Sequence, residues 1–189
     1  MSRVVVAFHS GYGHTRSVAQ AVKDGAASVP GVSAELLDVT QSAEAAWAAL
    51  AAADAIVFGS PTYMGGVSAD FKKFADESAK VWFTQGWKNK IAGGFTCSLN
   101  MSGDKYSTLM YFVTLAMQHS MVWVGTGLMP GRQPGHPDEI NRLGSAIGVM
   151  AQADNLPPDQ SPPAGDIETA RLYGKRIGEM SLRGAGGVR

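Results

Sequence analysis

Ser10-Gly11-Tyr12-Gly13-His14-Thr15 has the residue types and spacing of a phosphate-holding loop. The segment Arg3 to His9 before it is short, apolar and β-branched, and reads as a buried parallel strand. After it, Val18, Ala19, Ala21, Val22, Ala26 and Val29 recur at helical spacing until Pro30-Gly31 stops the helix. The first N–H groups of such a helix have no internal partner and sit at the positive end of its dipole. Gly11 and Gly13 let the backbone approach an anion, and Ser10 and Thr15 add hydroxyl donors. No lysine stands where a Walker A loop needs one, and the spacing is not GxGxxG. The chemistry indicated is a bound phosphate without nucleotide hydrolysis. An ordinary βα turn, with glycine for tightness and Thr15 as a cap, explains this loop alone equally well, so the rest of the chain decides.

Two further loops tip the balance. Pro61-Thr62-Tyr63-Met64-Gly65-Gly66-Val67 offers an aromatic ring, a thioether and two glycines behind a proline. Ser98-Leu99-Asn100-Met101-Ser102-Gly103 is a polar, glycine-ended turn. A phosphate pocket beside two loops with backbone N–H groups, an aromatic and sulfur suits a flat, phosphorylated ring system. Each loop follows a predicted strand. Ser33 to Val39 alternates as a second strand, Asp54 to Ser60 is a third of buried type, Lys90 to Ser98 a fourth and Met121 to Thr126 a fifth. Helices are predicted between them over Ala43 to Ala52, Ser68 to Trp82 and Ser107 to His119, with a last one over Asp166 to Leu182. Prolines 157, 158, 162 and 163 mark a loop before that last helix.

This alternation predicts a single-domain α/β fold: a doubly wound, five-stranded parallel sheet of order 2-1-3-4-5, with helices on both faces. Ligand is expected at the carboxyl ends of the strands, near the switch between strands 1 and 3. The three loops above occupy those places. One domain over 1–183 and a disordered Gly-rich tail over 184–189 are expected.

The residues here resemble the flavodoxin-like NAD(P)H:quinone oxidoreductases of the tryptophan-repressor-binding-protein type. The matching motifs are Ser10-x-Tyr12-Gly13-His14, Phe58-Gly59-Ser60-Pro61-Thr62 with Gly65, Phe74-x-Asp76, Trp82, Lys90-x-Ala92 and Ala170-Arg171-x-x-Gly174. They cover nearly the whole chain. The resemblance implies FMN, with its phosphate in Ser10–Thr15, its ring against Thr62, Tyr63 and Met64, and further contacts from Pro61, Gly65 and Ser98–Gly103. It further implies NAD(P)H near Tyr12, a quinone-like acceptor near Trp82, and a homo-oligomer, dimer or tetramer. The sequence departs from the family where its glycine-rich run becomes Leu99-Asn100-Met101-Ser102-Gly103, and where an insertion between strands 2 and 3 is absent. The family's paired histidines become Gln118-His119. His119 then falls at the amino edge of the sheet, where a helix C-terminal cation is the preferred reading over a catalytic acid.

Bulk features narrow the partners. The chain has 189 residues, 45% of them hydrophobic, and 16 basic against 16 acidic side chains. A balanced surface argues against nucleic acid or an anionic membrane as partner. It also argues against the rival reading, a flavodoxin-type electron carrier without turnover of its own, because such carriers dock through strongly acidic faces. The single cysteine, Cys97, fits a reducing compartment, and no signal-peptide or spanning run is visible, so a cytoplasmic protein is expected. Cys97 reads as a small buried thiol, and His136-x-Asp138-Glu139 as a surface loop with no metal.

Overall fold

The computed structural model describes residues 1–41 and 44–187, with side-chain surroundings described up to residue 183. Strands β1 (Ser2–Phe8), β2 (Val32–Asp38), β3 (Ala55–Tyr63), β4 (Gly66–Val67), β5 (Ile91–Ser98), β6 (Val122–Trp123) and β7 (Val149–Gln152) form one sheet of order β2-β1-β3-β5-β6. Helices α1 (His14–Ala27), α2 (Glu44–Ala52), α3 (Ala69–Glu77), α4 (Ala79–Phe83), α5 (Lys105–Gln118) and α6 (Ala164–Gly187) flank it. The expected first residue of α2, Ala43, lies outside the described residues. Helix α6 takes up most of the segment expected as a tail, and residues 188–189 lie outside the described residues.

Alternation along the central strands builds two cores. From β1, Val4, Val6 and Phe8 join Val57, Phe95 and the inner faces of α1 and α6. Val5 and Ala7 point the other way, with Ile56, Phe58 and Ala92, onto Phe71, Phe74, Trp87 and Phe112. Both faces of β1, β3 and β5 are buried, which is why these strands read as continuous apolar runs.

The fifth position in the sheet differs from expectation. Met121 to Thr126 supplies only two strand residues, Val122 and Trp123, opposite Ile91 and Ala92. The chain then leaves the sheet over residues 124–148 and returns as β7, pairing in parallel with Phe95–Ser98. Tyr173 from α6 fills the gap between the two: its hydroxyl accepts from the Gly94 N–H at 3.1 Å and donates to the Val124 carbonyl at 2.6 Å. Sequence adjacency favoured a single fifth strand, whereas a side chain from the other end of the protein lets the place be shared.

Two smaller differences matter for the site. The helix expected over Ser68 to Trp82 breaks at Ser78, whose hydroxyl donates to the Ala75 carbonyl at 2.7 Å. β3 runs past Ser60 to Tyr63 and folds back as β4 through Met64 and Gly65, both at positive φ (46° and 77°). Two successive positive-φ residues make the tight hairpin turn whose twist suits antiparallel strands. Met64 adopts it at a cost in strain that Gly65 escapes.

Candidate functional site

The loops after β1, β3, β5 and β7 meet at the carboxyl end of the sheet, around a cleft of about 350 Å³. Its walls are Tyr12, His14, Thr15, Pro61, Tyr63, Cys97, Ser98, Leu99 and the segment Ala153-Asp154-Asn155-Leu156. Tyr12 and Tyr63 meet edge to face, ring centres 6.4 Å apart. Tyr63 passes over Gly11, where a Cβ would lie 2.7 Å from its hydroxyl. Burial, with the neighbouring Tyr12 and Cys97, holds the Tyr63 phenol above its ordinary pKa. Burial likewise pushes the Cys97 thiol up to about 12, so it remains a protonated wall of the cleft.

The loop at the start of α1 is built to donate. Gly13, at φ 94°, is its N-cap residue and has no side chain with which to cap it. Ser10 Oγ sits inside the loop and accepts from the N–H groups of Gly13 and Arg16, both at 3.1 Å. The N–H groups of His14 and Thr15 have no acceptor among the described residues, and Thr15 Oγ1 is equally free of a protein partner. Unpaired first-turn donors, a hydroxyl and a positive dipole end fit a phosphate group. Arg16 is turned outward, paired with Asp38 at 2.9 Å and lying over the Phe8 ring.

The segment after β7 was not legible as part of the site. It is tied directly to the start of α1: His14 Nε2–H donates to the Leu156 carbonyl at 2.8 Å, and Ser17 Oγ–H to the Pro158 carbonyl at 3.2 Å. A buried ion pair holds its base. Asp166, 2% exposed, accepts from Arg142 Nε and Nη2 at 2.7 and 2.9 Å and from the Gln152 N–H at 2.9 Å. The available signal was the short apolar run Val149-Met150-Ala151 between Gly148 and Asp154.

The expected site residues separate into three groups. Tyr12, His14, Thr15, Pro61, Tyr63, Ser98 and Leu99 line the cleft, while Ser10, Gly11 and Gly13 shape the loop behind them. Thr62 is turned inward, its hydroxyl shared with Thr96 and Thr108 at 2.8 Å each, so its side chain does not face the cleft. Met64 and Gly65 form the exposed hairpin tip, and Asn100, Met101, Ser102 and Gly103 a turn beyond the Leu99 wall.

Trp82 and His119 lie elsewhere. They line a groove between α3–α4 and α5 with Tyr111, Leu115 and Gln118, sharing no residue with the cleft. His119 is 2% exposed and packs on Trp87, ring centres 4.3 Å apart. Because Ser78 Oγ gives its proton to Ala75, it accepts from His119 Nε2–H at 2.8 Å, which fixes the tautomer. Burial lowers the His119 pKa to about 4, so at neutral pH it is no helix-terminal cation. A base whose folded pKa is depressed contributes stability above its unfolded value, near 6.5, that is lost as pH falls toward 4. Urea unfolding should therefore show a loss on the order of 3 kcal/mol between those limits. His119→Gln should flatten that part of the profile, and an unchanged profile would mean His119 does not supply it.

The model of the NADPH-dependent FMN reductase family matches residues 4–133. This chain belongs to that family. It is 42% identical to the flavodoxin FldP of Pseudomonas aeruginosa over 184 residues, covering 95% of this chain and 97% of that protein. It is 32% identical to an NAD(P)H dehydrogenase (quinone) of Trichlorobacter lovleyi over 206 residues, covering 97% and 98%. The solved structure of a flavodoxin, WrbA-like protein from Agrobacterium tumefaciens superposes with a TM-score of 0.76 at 44% identity, covering 97% and 99%. The resemblance read from the motifs is thus borne out, FMN is the cofactor, and the chemistry is FMN-dependent NAD(P)H oxidoreduction. The alignment with the Trichlorobacter protein is longer than this chain of 189 residues, so that relative carries segments this chain lacks. No described helix is long and apolar enough to cross a membrane, and no metal-holding cluster occurs among the described residues.

Proposed function

We propose that this protein passes two electrons from NAD(P)H, by way of FMN, to a small quinone-like acceptor. The observation that carries this reading is the character of the cleft. Its walls include Tyr12, Pro61, Tyr63, Leu99 and Leu156 and no lysine or arginine, and Tyr12, Leu99 and Leu156 among them are exposed. Such a mouth admits a flat, apolar ring, and the one carboxylate in its lining, Asp154, is far from the strongly acidic face with which a carrier docks a protein partner. FMN, when bound, supplies the two-electron chemistry between the substrates. The chain's own part is to seat the phosphate on the His14 and Thr15 N–H groups, to pack Tyr63 against the ring, to face the arriving NAD(P)H with Tyr12, and to exclude water with Leu99 and Leu156.

In this reading Pro61, Tyr63, Met64, Gly65 and Ser98–Gly103 contact the flavin, with Thr62 contributing backbone only. Trp82 reaches a flavin only on another copy of the chain, so the reading includes a homo-oligomer. A second reading has its own support. Two relatives above 40% identity carry flavodoxin in their names, against 32% for the quinone dehydrogenase. A carrier would take its electrons from a partner reductase and have no turnover of its own.

Anaerobic stopped-flow separates the two. NADH or NADPH should bleach the bound flavin far faster than free FMN, and benzoquinone should restore its colour. Initial-rate plots should be parallel, with excess quinone competing against NAD(P)H for the shared cleft. Tyr12→Ala should slow turnover more than it weakens FMN retention. Bleaching no faster than that of free FMN, together with rapid reduction by a partner reductase, would make the protein a carrier.

A further inference from the structure

Lys105, the first residue of α5, is fully buried, which is rare for a lysine. Its Nζ donates to the carbonyls of Asn100, Met101 and Ser102 at 2.7, 2.8 and 3.4 Å. Burial lowers the Lys105 pKa from the ordinary lysine value, but three carbonyl acceptors around one nitrogen match the three protons of the ammonium and hold it in that form. Its charge is placed against the preference of a helix N-terminus for anions. The gain that offsets this is therefore in the loop, not in the helix.

The geometry of the loop follows from that ammonium. In a trans peptide the C=O and N–H of one unit point in opposite directions. With three successive carbonyls converging on Nζ, the N–H groups of Met101, Ser102 and Gly103 point away from it. None of the three has an acceptor among the described residues. Gly103 permits the turn: it has φ 53°, and a Cβ there would meet Ser98 Oγ at 2.0 Å. Ser98 and Leu99, at the base of the same loop, are walls of the cleft. The Lys105 charge is also felt by Cys97, another of its walls. The other charged groups acting on Lys105 are Asp166 and Arg142, which pair with each other.

We infer that Lys105 is a positioning residue of the flavin site: it holds loop 98–103 with three peptide N–H groups turned outward for FMN, and its buried charge favours reduced over oxidised FMN. Two electrons and one proton convert bound FMN to its anionic reduced form, so a nearby fixed cation stabilises the product more than the reactant. The inference rests on FMN as cofactor and not on the identity of the acceptor.

Two measurements test it. In the wild-type protein, hydrogen exchange at the amides of Met101, Ser102 and Gly103 should slow when FMN is added to apoprotein. Unchanged exchange there overturns the inference without any variant. In Lys105→Met, oxidised FMN should bind about tenfold more weakly and reduced FMN a further tenfold. That ratio lowers the two-electron midpoint potential by about 30 mV, read by dye equilibration with dithionite as reductant. Lys105→Arg, which keeps charge and donors, should recover most of the potential. A variant that loses thermal stability but keeps the wild-type potential would make Lys105 merely structural and refute the inference. Neither measurement involves NAD(P)H or a quinone, so failure here leaves the proposed acceptor untouched, and failure of the acceptor leaves Lys105 untouched.

Discussion

Gly13→Val should weaken FMN binding by about 2 kcal/mol or more, roughly thirtyfold in Kd. Three effects act together. Gly13 has φ 94°, a conformation that a β-branched side chain resists. A Cβ there would stand 2.9 Å from Cβ and Cγ of Pro158, so the loop after β7 must move as well. That loop is latched to α1 through His14 and Ser17, and moving it disturbs the Leu156 wall of the cleft. The backbone would settle by turning its N–H groups away from the phosphate. Thr15→Ala removes one neutral hydroxyl and leaves the backbone alone, so its cost should be nearer 1 kcal/mol. Titration of the two apoproteins with FMN gives the comparison. Equal affinity for both variants and wild type would place the phosphate away from this loop.

The first loop was legible in the sequence because everything that defines it is local. A buried strand, a glycine turn and an amphipathic helix occupy consecutive residues, and their periods differ sharply. The same holds for β3 and β5, whose apolar runs stand between clear turns. What was not legible depends on partners far along the chain. β7 is four residues long and is a strand only because Phe95–Ser98 is left open by the departure at Val124. Without it, Asp154 to Leu156 had no reason to be placed at the site. Thr62 looked like a ring contact until Thr96 and Thr108, from two other elements, claimed its hydroxyl. His119 looked like a terminal cation until Ser78 and Trp87 buried it. Lys105, in a polar stretch, gave no sign of being buried. A lysine's environment is set by how a loop folds over it, and no periodicity records that.

Gly174→Ala should lower stability by about 3 kcal/mol, the upper end for overpacking, because the obstruction is backbone. Helices α1 and α6 cross with Gly25 and Gly174 at the contact. A Cβ on Gly174 would lie 1.9 Å from the carbonyl oxygen of Val22, and one on Gly25 equally close to that of Arg171. No side chain can rotate to relieve either clash, so the helices must separate. Separation opens the core in which Val18, Val22, Ala170, Tyr173 and Ile177 are buried. It also draws on Tyr173, whose hydroxyl bridges β5 to the segment after β6. An effect on the cofactor is expected as well, since α1 carries the N-terminal donors proposed to hold the phosphate and α6 begins just beyond the loop that carries Leu156. Thermal unfolding of the apoprotein should therefore fall by several degrees in Gly174→Ala. FMN should restore part of the loss, through binding to the folded state alone. Gly178→Ala is the control on the same seam, because its nearest obstruction, the Ala26 carbonyl oxygen, lies at 3.0 Å. Its smaller clash should cost clearly less. Equal and small losses in both variants would mean that the two helices yield easily, and that their close crossing does not hold the phosphate loop in place.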